Sequence, residues 1–136
     1  MKEVTVYLDD VVPFKIKKEG VKYLKLKKSK TFSENKINCM VYELIPLFYE
    51  FCLQNPDVEP LHNFEYVEVE VTLSNFGKEF LKGKENSFKI KKNGDKEIIR
   101  CSFNELSRIF GKYYEGNYYS IYNPFLYNEI KLYINK

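Results

Sequence analysis

Two stretches of this 136-residue chain alternate lysine with apolar residues: Phe14-Lys15-Ile16-Lys17-Lys18 and Phe88-Lys89-Ile90-Lys91-Lys92. Successive side chains of a strand point to opposite faces. With Phe14, Ile16, Leu24 and Leu26 inward, Lys15, Lys17, Tyr23, Lys25 and Lys27 would share the outer face. Lys89 and Lys91 flank Phe88 and Ile90 in the same way, and Tyr127, Lys131 and Tyr133 belong to the C-terminal strand region. Lysines neutralise phosphates and release counterions, while a base stacked on an aromatic ring gains about 1–3 kcal/mol. These ten residues are therefore the expected site for single-stranded DNA or RNA, with Tyr118 and Tyr122 as further platforms. The plainer alternative is a solvated sheet whose lysines pair across strands with Glu65, Glu68 and Glu70.

The charge layout supports a second kind of partner. Residues 1–32 hold nine lysines against four acids, and residues 33–74 hold one lysine against eight acids. Residues 75–100 are basic again, so the net charge of +3 conceals a strongly acidic block. Glu43, Glu50, Asp57, Glu59, Glu65, Glu68 and Glu70 would offer a basic groove on another protein a complementary surface. A small, motif-free chain rich in Lys, Asn, Ile, Tyr and Phe is of the type that phages and mobile elements encode. The alternative expectation is thus an inhibitor of a host defence nuclease or effector, of the anti-CRISPR type, docking through its 34–70 surface.

Catalytic chemistry finds little footing. Cys39, Cys52 and Cys101 are scattered and odd in number, which argues against a disulfide framework or a structural zinc site. The lone His62 has no nucleophile or carboxylate in a local catalytic pattern. Asp9-Asp10 follows a strand, where an acid pair is ordinarily a turn rather than a metal site. No G-x-S-x-G, P-loop, G-x-G-x-x-G or H-E-x-x-H occurs. The expectation is a binding protein, not an enzyme, without cofactor or metal.

Positioning falls to strands and helices that the periodicity suggests. Residues 3–8 and 66–73 alternate as half-buried strands. Residues 13–18 and 21–27 around Glu19-Gly20, and 88–92 and 97–101 around Asn93-Gly94, read as hairpins. Ile37, Met40, Val41, Leu44, Phe48, Phe51 and Cys52 form one helical stripe from Ser33 onward, kinked at Pro46 and ended by Asn55-Pro56. Ser74-Asn75 caps a short helix closed by Gly83, and Ser102-Phe103-Asn104-Glu105 is a capping box for a helix that frays between Gly111 and Gly116. Tyr118–Tyr122 and Leu126–Ile134 would close the chain as a hairpin about Asn123-Pro124.

Residues 14–22 and 88–96 agree at seven of nine positions, so 3–54 and 65–114 read as two strand–hairpin–helix repeats, followed by a C-terminal hairpin over 117–135. That order of elements resembles the whirly and PUR-type single-strand binders, although no residue motif of either family is present. The expected fold is a single α+β domain over 1–136, with a largely antiparallel twisted sheet and two helices. No apolar run approaches the roughly 20 residues a membrane span needs. Met1-Lys2-Glu3 is followed by no apolar h-region, which places the expected location in the cytoplasm.

Overall fold

The computed structural model describes residues 2–27, 32–84, 89–116 and 122–135, which form a single α+β domain. Its frame is a five-stranded antiparallel sheet in the order β1-β8-β5-β7-β6. The strands are β1 (Lys2–Tyr7), β5 (Val67–Thr72), β6 (Lys91–Asn93), β7 (Lys96–Cys101) and β8 (Glu129–Ile134). Parity decides the faces. Val67, Val69 and Val71 of β5 are buried with Ile99 and Cys101 of β7 and Ile130 of β8, while Glu68, Arg100 and Glu3 look to solvent.

Against the apolar face pack α5 (Phe103–Gly116) and a second, three-stranded sheet in the order β2-β4-β3. Its strands are β2 (Val11–Lys15), β3 (Phe32–Ser33) and β4 (Lys36–Met40). A run of stacked rings ties the layers together: Phe14 of β2 lies 5.9 Å from Phe64, and Phe64 lies 4.4 Å from Phe103 of α5. Two short helices, α2 (Val41–Leu47) and α3 (Tyr49–Gln54), pack on α5. The remaining helices are α1 (Lys18–Leu26) and α4 (Asn75–Leu81). Ser74 caps α4 by accepting from the Gly77 amide at 3.2 Å, and Gly83 follows with φ +82°, as the capping chemistry predicts. Ser102 likewise accepts from the Glu105 amide at 3.0 Å.

Several expectations are corrected. Residues 18–26 are a helix, not the second arm of a hairpin. Leu26, which the strand reading turns inward, is 77% exposed, whereas Gly20 and Leu24 are buried on one side of α1. Glu19 in the first turn and Lys25 in the last complement the helix dipole. Gly20 is there for close approach, since a Cβ at that position would lie 2.7 Å from Ile16 Cγ2 and 2.8 Å from the Pro60 carbonyl oxygen. The helix foreseen from Ser33 starts only at Val41. Before it, Ile37 and Cys39 are buried and Lys36 and Asn38 exposed, a strand alternation that pairs Phe14 with Ile37 and Val12 with Cys39. An apolar residue at 37, 40 and 41 fits either period, and the β2 partner decides it.

The kinked helix is instead two helices broken at Phe48 (φ −101°, ψ 12°), two residues beyond Pro46. Helix α5 runs unbroken past Gly111, where the glycine admits the Tyr49 side chain. The β6–β7 loop is Gly94-Asp95 rather than Asn93-Gly94, because Asn93 pairs with Lys96, and Gly94 (φ +67°) takes the first loop position. Strand β8 is hydrogen-bonded on both sides, by β1 and β5, so it is no hairpin arm of a tyrosine strand. Residues 118–121, the first part of the expected tyrosine arm, lie outside the described residues, as does Phe88. The two similar nonapeptides take different structures, one a strand end and helix start, the other centred on a hairpin. The repeated strand–hairpin–helix order, and the likeness in element order drawn from it, therefore do not hold. The described chain carries five α-helices and two sheets instead of two helices on one sheet.

In a free helix Gly→Ala is stabilising, but at Gly20 the new methyl meets a backbone oxygen that cannot swing away. Gly20→Ala is expected to lower stability by about 1–3 kcal/mol, read from the urea midpoint. A variant as stable as the wild type or more so would show that α1 is not docked on Pro60.

Candidate nucleic-acid interface

Lysine placement follows from how α1 is held. The Lys17 amide donates to the Pro60 carbonyl at 2.8 Å and the Val21 amide to the Lys17 carbonyl at 2.9 Å, which starts the helix against the 55–61 loop. Leu24 then turns inward with Tyr23, whose ring meets Phe48 and Phe51 at 6.0 and 5.5 Å. Lys18, Lys22 and Lys25, at i, i+4 and i+7, are left on the exposed side. They span about 10 Å at 1.5 Å rise per residue.

This stripe borders an open groove of about 710 Å³, with Ile16 and Val21 on its floor and Glu34, Asn35 and His62 on the opposite lip. The Ile16 amide donates to the Asn35 carbonyl at 2.6 Å, fixing the lip to the floor. Among the described residues, none of these three lysines is in an ion pair. Lys15 and Lys36, paired in register on β2 and β4, are exposed nearby in the chain's path. A row of unpaired ammonium groups beside an apolar floor can hold a chain of phosphates with flat groups lying against the floor.

The residues expected from the sequence divide between two places. Lys15, Lys17, Tyr23, Lys25 and Lys27 belong to β2 and α1 and do not share one strand face. Only Lys25 among them joins the groove. Lys17 is 3.8 Å from Glu65, Lys27 pairs with Glu50, and Lys15 stands on β2. Tyr23 is no stacking platform: its hydroxyl donates to the Leu47 carbonyl at 3.2 Å, and burial pushes its pKa up. Lys91, Lys131 and Tyr133 lie instead on the solvent face of the five-stranded sheet, and Tyr127 beside it, with the Lys96 ammonium 5.7 Å from its ring. Lys89 is exposed just ahead of β6.

That sheet face is balanced in charge. The register sets Glu3, Tyr133 and Glu68 in one row, and Thr5, Lys131, Glu70 and Arg100 in the next. The Arg100 Nε donates to Glu68, and its guanidinium lies 3.9 Å from the Tyr133 ring centroid. The Tyr133 hydroxyl donates to Glu70 at 3.3 Å. Loss of solvent and the neighbouring Glu3 and Glu70 carboxylates push its pKa up to about 12. Cross-strand pairing of this kind is what the plainer reading of the charges anticipates.

The acidic candidates are similarly engaged. Glu50, Glu65, Glu68 and Glu70 have the partners just named, and His62 Nδ1 lies 2.7 Å from Glu65 Oε1. Glu59 accepts from the Asn104 amide at 2.8 Å and so caps the start of α5, while Glu43 and Asp57 are exposed. Asp9 and Asp10 hold a turn, accepting from Asn128 Nδ2 and the Tyr7 amide, each at 3.0 Å. All three cysteines are buried, and burial pushes the Cys39 and Cys52 thiols up to about 12 and the Cys101 thiol higher still. Among the described residues no three His, Cys, Asp or Glu side chains gather to hold a metal, and no helix is long and apolar enough to cross a membrane.

Strand parity hid Lys18 and Lys22. The signal that finds them is the helical spacing 18-22-25 set against Gly20, Val21 and Leu24, with an acid in the first turn.

Burial raises the Glu59 pKa from 4.5 to about 7, against the pull of the Asn104 amide, Lys17 and Arg108. The folded state thus holds this proton more tightly than the unfolded chain. Its contribution to stability is full below about pH 4.5 and is lost as pH rises through about 7. Relative to Glu59→Gln, the wild type should lose stability between pH 5 and pH 8, seen in paired urea melts. Parallel curves for the two proteins would show that Glu59 does not titrate in this range. No protein-family model matches this chain, nor does any curated protein or any solved structure.

Proposed function

We propose that this protein works by binding single-stranded nucleic acid along the groove beside α1, contacting phosphates through Lys18, Lys22 and Lys25. The observation that carries this reading is the stripe of three exposed lysines without carboxylate partners, bordering a groove with an apolar floor. Of the other lysines in the sequence pattern, Lys17 and Lys27 already stand against Glu65 and Glu50. An ammonium already neutralised releases little when a phosphate arrives, so the free stripe dominates the affinity. Asn35 and His62 on the lip offer hydrogen-bonding and stacking groups to bases, while the part-exposed Val21 gives the sugar and base an apolar support. Compared with the pattern in the sequence, the interface moves from two hairpins to one helix, and stacking on exposed tyrosines drops out of it.

Three phosphate contacts on a single strand imply a slope of about −2 in log K against log salt, a fall of roughly 15- to 20-fold between 50 and 200 mM. Fluorescence anisotropy with a labelled 20-nucleotide DNA or RNA reads this directly. Lys18→Glu/Lys22→Glu/Lys25→Glu should abolish binding with the fold retained, while Lys91→Glu/Lys96→Glu should leave it unchanged. Absence of binding at 50 mM salt, or equal loss in the sheet-face variant, overturns the proposal.

A further inference from the structure

A second site lies between α3, α4 and α5, where Tyr49, Phe80 and Ile109 wall a pocket of about 290 Å³. Three cations reach it, Lys84, Arg108 and Lys112, against one carboxylate, Glu105. Arg108 is the informative member. It is half-buried, and among the described residues it enters no ion pair. A guanidinium withdrawn from water ordinarily finds a carboxylate or another anion to receive its planar fork.

Its orientation is built rather than incidental. Arg108 Nε donates to Asn104 Oδ1 at 2.8 Å. Asn104 is 2% exposed, and its Nδ2 donates to the carbonyls of Asn55 and Val58 at 2.8 and 2.7 Å. Its backbone amide is held by Glu59. The buried amide is thus fixed on every side and steers one edge of the guanidinium, leaving the terminal nitrogens for a ligand. Lys112 is four residues on from Arg108, so the two cations share a helix face. The Lys84 ammonium lies 3.7 Å from the Phe80 ring centroid, at the aromatic wall of the same pocket.

We infer that this pocket binds a phosphorylated ligand bearing a flat aromatic group, a nucleoside monophosphate in chemical class. Its phosphate takes Arg108 and Lys112, and its ring lies against Phe80 and Tyr49. A dianion suits the excess of cations, and the volume is at the small end of the range for ligand pockets, which runs from about 300 Å³. This inference is independent of the groove beside α1, which is built from other residues.

The test is titration calorimetry with adenosine monophosphate, adenosine and inorganic phosphate as separate probes. The monophosphate is expected to bind at least tenfold more tightly than either of the others. Arg108→Ala should abolish that binding. Arg108→Lys, which keeps the charge but not the fork held by Asn104, should weaken it at least fivefold. Lys84→Gln/Lys112→Gln changes only exposed side chains and should weaken binding without altering the melting temperature, which carries the test if Arg108→Ala fails to fold. Lys18→Glu/Lys22→Glu/Lys25→Glu should bind the monophosphate normally. Equal affinity for monophosphate and adenosine, no binding of any probe, or undiminished binding to the Lys84/Lys112 variant overturns the inference.

Discussion

The docking of α5 against the break between α2 and α3 is the contact on which the rest of the molecule depends. Pro46 has no amide hydrogen, and the helix that contains it ends after Leu47. The last carbonyls of any helix lack partners within it. One of them, that of Ile45, receives the fully buried Ser107 hydroxyl of α5 at 2.6 Å. One turn on, Gly111 lets Tyr49 approach the α5 backbone, and one turn back Asn104 ties down the carbonyls of Asn55 and Val58. A small polar, small polar, glycine series at 104, 107 and 111 thus replaces the apolar stripe a helix usually buries at that contact. Polar groups in such a place are tolerable because each is satisfied, and they hold α5 in a single register.

The consequences spread from there. Through Phe103 and the Phe64 ring, α5 is joined to Phe14 and hence to the small sheet. Through Phe110 it meets Phe80 of α4 and Phe125 ahead of β8. The exit loop after α3, held by Asn104 and Glu59, presents the Pro60 carbonyl on which α1 begins. The direction of the lysine stripe and the posture of Arg108 are therefore both set by the same buried amide. A change at Asn104 would be felt at the two surfaces together.

Part of the charge in this chain is met within it. The acidic stretch and the basic stretches meet at three pairs, Lys17 on Glu65, Lys27 on Glu50 and Arg100 on Glu68. Exposed pairs of this kind contribute little stability each, but they remove charge from the surface that a partner would sense. Lys18, Lys22 and Lys25 on α1 and the cations around Arg108 enter no such pair among the described residues.

Much of the scaffold was legible in the sequence. The strands at 2–7, 67–72 and 96–101, the Ser74 and Ser102 caps and the class of fold follow from alternation and capping, which act within a few residues. The short apolar runs at 21–26 and 37–41 were not legible, because they satisfy a period of two and of 3.6 alike. Only their neighbours, the Pro60 carbonyl for α1 and strand β2 for β4, choose between them. The candidate site inherits that ambiguity, since a lysine's face depends on which period is realised. Lys18, Lys22 and Lys25 are named by the sequence as charges and made into a row by tertiary packing. Arg108, Lys84 and Phe80 share a pocket for a similar reason: contacts between residues far apart in the chain have no local periodicity to announce them. Local rules determined which residues could form strands and caps, and long-range burial decided which charges stayed free.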